Sequence, residues 1–133
     1  MDERASSFLQ SNHSAIMATL KKDGTPHVAR VGVGMVDGKL QSSGTKTRVR
    51  TAHLRRDPRA TLCILSNDNP WAWLGAECRV TIHDGPDAPE RNLALYRVLA
   101  GEPEDLDEYM QAMRDEQRLI YEFQILKTYG MGL

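Results

Sequence analysis

Residues 15–44 read AIMATLKKDGTPHVARVGVGMVDGKLQSSG, and this run decides the fold. Ala15–Leu20 is apolar and strand-like, and KKDG at 21–24 is a turn signal, because Asp-Gly suits the positive φ of a tight hairpin. From His27 to Val36, Val28, Arg30, Gly32 and Gly34 alternate with Ala29, Val31, Val33 and Met35, the period of two that marks a strand. Asp37-Gly38 is a second hairpin turn, and Lys39–Gly44 follows as a third strand ending in small polar residues. Strands joined by such tight turns need no crossover, so their sheet is antiparallel.

Outward from this run, residues 2–12 form a short helix with Phe8 and Leu9 facing inward. The segment 46–56 has helical character, with Val49, Ala52 and His53 at helical spacing, and Asp57-Pro58 stops it. Arg59–Ser66 reads as a buried strand, and the polar loop SNDNP leads into a long strand, Trp71–His83, with Glu77, Arg79 and Thr81 on one face. Asp87 as cap, Pro89 in the first turn and Glu90 completing a capping box start a helix that runs to about Ala100 and stops at Gly101. A second helix covers about Glu104–Gln117, acidic at its start as the macrodipole favours, and Leu119–Lys127 closes the chain as a strand. The order predicts a mainly β chain with flanking helices, whose mostly antiparallel sheet closes into a small barrel.

The 133 residues are expected to form one domain, and 41% hydrophobic with 26% charged residues is ordinary for a soluble protein. No apolar run approaches the roughly 20 residues that span a bilayer, and the charged start MDERASSFLQ does not resemble a signal peptide, so the chain reads as cytoplasmic. Cys63 and Cys78 are too few and too badly spaced for a disulfide framework or zinc site, and Cys63 reads as a buried free thiol. His13, His27, His53 and His83 lack metal-ligand spacing.

Charge is concentrated in KTRVRTAHLRRDPRA, residues 46–60, where Lys46, Arg48, Arg50, Arg55, Arg56 and Arg59 face one acid, Asp57. The whole chain is −1, so everything outside this stretch is net acidic. A solvated helix face, a phosphate cradle, a nucleic-acid surface and a membrane patch all compete for it. Ser42-Ser43-Gly44-Thr45 directly ahead of a helix start favours the cradle, because free backbone N–H groups and the helix dipole attract an anion there. Lys46, Arg48 and Arg50 add charge, Arg48 and Arg50 in bidentate form. The acidic remainder would repel a nucleic acid, no aromatic residue interleaves the basic ones, and the helix lacks the apolar face a membrane needs.

LRRDPRA (54–60), entered from a basic helix and followed by a strand, resembles the pyridoxamine-phosphate-oxidase-like split-barrel flavoproteins. More narrowly it resembles their actinobacterial branch that uses the deazaflavin coenzyme F420. AIMATLKKDGTPHVARV (15–31), WAWLGAECRVT (71–81), ALYRVLAGEPEDLDEYMQAM (94–113) and KTYGM (127–131) agree with that family in order and spacing. The resemblance covers nearly the whole chain. It implies a six-stranded antiparallel split β-barrel with flanking helices, and a homodimer with two cofactor sites at the subunit interface. It implies that Ser43 and Thr45 offer hydroxyls to the cofactor phosphate, Arg48 a charge and Arg50 the main contact. His53 falls where the family often has an Asn near the cofactor. Trp71 would reach the cofactor of the neighbouring subunit, with Trp73 nearby.

Two positions depart from the family pattern. The usual phosphate-binding Lys is Arg50 here, with Lys46 one helical turn earlier, and the Gly after the central-strand Glu is Cys78. The resemblance implies a reductase that moves a hydride from reduced F420 to a small conjugated or aromatic acceptor. The cofactor carries that chemistry, which agrees with the lack of any visible catalytic dyad. An FMN-dependent oxidoreductase of the same fold and a non-catalytic F420-binding protein are the alternatives. F420 differs from FMN by an anionic oligoglutamate tail, which the extra cations Arg55, Arg56 and Arg30 favour.

Overall fold

The computed structural model describes residues 1–133. Helix α1 (Glu3–Ser11) is capped by the Asp2 carboxylate, which accepts from the Ala5 amide at 2.8 Å, and it buries Ala5 and Leu9. Strands β1 (Ser14–Leu20), β2 (Pro26–Gly32), β3 (Gly34–Val36) and β4 (Lys39–Thr45) follow. Helix α2 (Val49–Arg56), strands β5 (Arg59–Leu65) and β6 (Trp73–His83), helices α3 (Ala88–Ala100) and α4 (Leu106–Asp115) and strand β7 (Arg118–Met131) complete the chain. The Asp37-Gly38 turn has φ of 50° and 76°, the two positive values a tight hairpin needs.

All seven strands share one antiparallel sheet in the order β2-β1-β5-β6-β7-β4-β3. β2 and β3 are consecutive in the chain but stand at opposite ends of that order, so the sheet must roll up on itself. The Ser42 hydroxyl, donating to the Gly32 carbonyl at 2.6 Å, spans the seam. Six strands were expected, and there are seven because the run His27–Val36 breaks at Val33. There the backbone leaves both ladders for His13: the Val33 amide donates to the His13 carbonyl at 2.8 Å, and its carbonyl meets His13 Nδ1 at 3.1 Å.

The barrel interior is one apolar cluster. Met17, Leu62, Ile64, Leu74, Leu119 and Tyr121 are fully buried in it, with Leu9 and Leu54 added by α1 and α2. On the outside, α3 lies over β3, β4 and β7. The outer face of β2, β1, β5, β6 and the end of β7 is open, and it carries Val28 at 62% and Met131 at 58% exposure, with exposed Leu65 and Tyr129. A register shift between Glu77 and Cys78 leaves Leu126 of β7 unpaired and exposed, and bends the long strands. No helix is long and apolar enough to cross a membrane.

Several local expectations shift. Trp71 precedes β6 instead of starting it, and β7 extends to Met131, so KTYGM is strand. Asp87 caps no backbone amide; its carboxylate takes the Arg91 side chain at 2.9 Å, so the capping box does not form. Cys63 is half-buried, while Cys78 is the buried thiol. Helix α2 turns Thr51, His53 and Leu54 inward, leaving Val49 and Ala52 outside. Its inner face is polar because the end of the barrel supplies polar partners.

Candidate functional site

The basic segment leaves β4 at Thr45 and enters α2 at Val49. The Lys46 amide donates to the Gln117 carbonyl at 3.0 Å, tying the turn to the start of β7. Arg48 is the N-cap residue, and no side chain caps the helix. The Val49 and Arg50 amides make no backbone hydrogen bond, so they are free donors at the positive end of the helix dipole.

A buried network fixes this helix end. Thr51 donates its hydroxyl to the Thr45 carbonyl at 2.7 Å and also meets the hydroxyl of Tyr121. Tyr121 occupies the space above Gly44, where a Cβ would lie 2.3 Å from its hydroxyl oxygen. The Arg50 guanidinium stands 6.0 Å from the Tyr121 ring centroid. Its Nε is buried and has no hydrogen-bond partner. Burial first, and Arg48 and Arg118 nearby, pull the Arg50 pKa below its ordinary value, opposed by Tyr121. An anion beside Arg50 would satisfy the orphaned donor and offset both effects. Next to it, a cleft of about 550 Å³ is lined by Thr45, Thr47, Arg48, Asp115, Glu116, Gln117 and Arg118. Arg118 is paired with Glu116 at 2.7 Å, whereas Lys46, Arg48 and Arg50 take part in no ion pair.

The other expected site residues divide. Ser43 faces α3 and donates to Asn92 Oδ1, which engages its hydroxyl structurally. Thr45 is buried at the end of β4, ahead of α2. His53 points into the barrel, with Nδ1 2.9 Å from the Thr19 hydroxyl and its ring 5.3 Å from His27 at a near-perpendicular angle. Its pKa is lowered by burial first, then by His27, Arg56 and Lys21. Trp71 is 78% exposed in the loop between β5 and β6. That loop lies at the far end of β5 from α2, a separation of roughly 20 Å at about 3.3 Å per residue. Within one chain Trp71 and Arg50 therefore stand at opposite ends of the barrel. Trp73 packs edge-to-face with Tyr129 at 6.0 Å. Arg55 pairs with Asp84 at 2.8 Å, and Arg56 donates to the Leu20 carbonyl at 2.5 Å.

Sequence reasoning placed Gly44 beside the helix start but missed Thr51, Tyr121 and Arg118. Tyr121 falls inside the expected strand Leu119–Lys127 and Arg118 just ahead of it, and nothing local signals that they meet α2. No group of three or more His, Cys, Asp or Glu side chains is placed to hold a metal ion.

Comparison with known proteins settles the family. The pyridoxamine 5'-phosphate oxidase family matches residues 1–132. The chain belongs to it. An F420H2-dependent biliverdin reductase of Mycobacterium tuberculosis is 26% identical over 130 residues, covering 98% of this chain and 88% of that protein. Among solved structures, a conserved hypothetical protein of Mycobacterium tuberculosis superposes with a TM-score of 0.81 at 22% identity, over 98% of this chain and 84% of the other. An F420 reductase superposes with a TM-score of 0.77 at 20% identity, over 97% and 98%. These folds are the rolled barrel described above, so the split-barrel expectation holds with one extra strand.

Proposed function

We propose that this member of an oxidoreductase family is an F420-dependent reductase, holding the coenzyme phosphate at the N-terminus of α2. The uncapped helix end with the orphaned, buried Nε of Arg50 beside it carries the reading. The donor set fits a phosphate: two free amides, the Arg48 and Arg50 guanidinium groups and the Thr47 hydroxyl. The similarity to an F420H2-dependent biliverdin reductase supports F420 as the cofactor.

Reduced F420, when bound, supplies a hydride to a small conjugated or aromatic acceptor. The chain's own residues bind and orient. Arg48 and Arg50 would neutralise the phosphate, with the Tyr121 ring flanking the Arg50 guanidinium at 6.0 Å. A homodimer supplies the rest. The open apolar face with Val28, Leu65, Tyr129 and Met131 is of the kind that a second copy covers. Across such an interface the partner's Trp71 can approach a site that this chain's own Trp71 cannot reach.

FMN is the second reading, because one phosphate cradle serves either cofactor. Titration of the protein with F420 and with FMN, followed by tryptophan fluorescence, separates them. Micromolar quenching by F420 with weak FMN binding is expected, and the reverse preference overturns the F420 reading. Sedimentation should give a dimer; a monomer with full cofactor affinity would remove the interface from the site. With reduced F420 bound, a panel of quinones, enones and tetrapyrroles should contain a substrate, and no turnover with any would leave a cofactor-binding protein.

A further inference from the structure

Helix α3 lies over the outer face of β4 and β7, and beside its first turns is a cleft of about 300 Å³. It shares no residue with the cleft at the α2 end. Gln41 of β4 lines it from below. Side chains alternate along a strand, and Leu40 enters the barrel core, so Gln41 turns to the outer face, opposite Glu122 of β7. The helix leaves Gln41 only 5% exposed, yet its carboxamide takes part in no hydrogen bond. The sealed side-chain atoms without a partner are His27 Nδ1 and Arg50 Nε alone, so the Gln41 carboxamide opens into the cleft. A side-chain amide buried to this degree normally has a partner.

The walls are acidic. Asp37, Asp87, Glu90 and Glu122 line the cleft against Lys39 and Arg91. Arg91 is held by Asp87 at 2.9 Å. Lys39 lies 3.9 Å from Glu122, which also meets His83 Nε2 of β6 at 3.0 Å. Asp37 and Glu90 take part in no ion pair, so the lining keeps two negative charges in surplus. Each has a local reason to be acidic: Asp37 suits its hairpin turn, and Glu90 complements the dipole of α3. Gln41 has no such reason. Solvation of an ordinary strand residue does not explain an amide covered by a helix and open only to an acidic cleft.

We propose that this cleft binds a short alkyl diamine. One ammonium group donates to the Gln41 carboxamide oxygen, and the second meets the unpaired carboxylates of Asp37 and Glu90. The methylenes between them lie over Val36 and Ala94, the two apolar residues of the lining. The carboxylates come from the β3–β4 turn, from α3 and from β7, and no three are placed to hold a metal ion. Such spacing suits two separated cationic nitrogens. The volume is at the small end of ligand pockets, which run from about 300 to 1,000 Å³. This site is independent of the cofactor reading.

Calorimetric titration of the native protein with putrescine, butylamine and magnesium chloride at low salt tests it. Putrescine should bind about two- to fivefold tighter than butylamine, the gain of one partly exposed ion pair, and the advantage should shrink as salt is added. Asp37→Asn with Glu90→Gln should abolish the advantage. Both positions are exposed, and Asn tolerates the left-handed turn at position 37, so this pair reads the site even where a core-facing change unfolds the chain. Gln41→Leu should weaken both amines about tenfold, the loss of a hydrogen bond to a charged group. No saturable binding of either amine overturns the proposal, and so does equal affinity for the two. Putrescine binding that survives all three substitutions places the ligand elsewhere and overturns it as well. Displacement of putrescine by magnesium at equal concentration would make the cleft a metal site instead.

Discussion

Replacing Gly44 with alanine tests the contact that joins the barrel to the start of α2. Gly44 lies on β4, next to the Ser42–Tyr121 pair of the β4–β7 ladder. The new Cβ would stand 2.3 Å from the Tyr121 hydroxyl oxygen, 2.4 Å from Cζ and 2.6 Å from Cε2. Tyr121 cannot yield cheaply: it is fully buried, and its hydroxyl meets Thr51, which holds α2 to Thr45. Overpacking costs about 1–3 kcal/mol, and stranding the tyrosine hydroxyl adds about 1–3 kcal/mol. The sum is about 2–6 kcal/mol, which at about 4 °C per kcal/mol for a chain of this length lowers Tm by about 8–24 °C. Gly38→Ala is the control. Gly38 has open space around its Cβ position but a φ of +76°, so its cost is conformational, about 1 kcal/mol. Thermal unfolding of both variants, followed by circular dichroism, decides the matter. A loss at Gly44 no larger than at Gly38 would refute the claim that Tyr121 is locked against α2.

Arg50→Ala should weaken cofactor binding by roughly 1.5–3 kcal/mol in a fluorescence titration, because it removes a charge-assisted pair; unchanged affinity would assign the phosphate to Lys46 or Arg48. His53, whose pKa is depressed in the folded state by burial and by His27, Arg56 and Lys21, should make the protein less stable in acid. Its unfolded form takes up a proton first as pH falls below about 6.5, so its contribution is complete above that value and erodes on the way down to the folded pKa. His53→Asn should flatten the corresponding fall in urea midpoint between about pH 7 and 5; an unaltered slope would exclude His53 as its source. Cys78, pushed up to about 12 by burial and by Glu77, should resist a thiol reagent at pH 8 in the native protein. Half-buried Cys63 should label slowly and both thiols rapidly in denaturant, and fast native labelling of Cys78 would contradict its burial.

The sequence by itself determined the features that are local in the chain. Asp37-Gly38 makes its hairpin because both residues adopt positive φ, Asp57-Pro58 ends α2, and Gly101 ends α3 with φ of 84°. The start of the basic helix was equally legible, since the residues that follow β4 place free amides and arginines together without help from distant parts. Tertiary structure decided what depends on partners remote in the chain. The alternation from His27 to Val36 gives no sign that its two halves pair with different strands, because rolling the sheet separates them at Val33. Ser43, a hydroxyl apparently free for phosphate, is taken by Asn92, 49 residues away. The inward face of α2 is set by Thr19 and Tyr121, which satisfy polar side chains that an apolar periodicity would turn outward. Trp71 and Arg50 sit at opposite ends of one barrel because β5 runs the full height between them, a separation that only the folded sheet fixes.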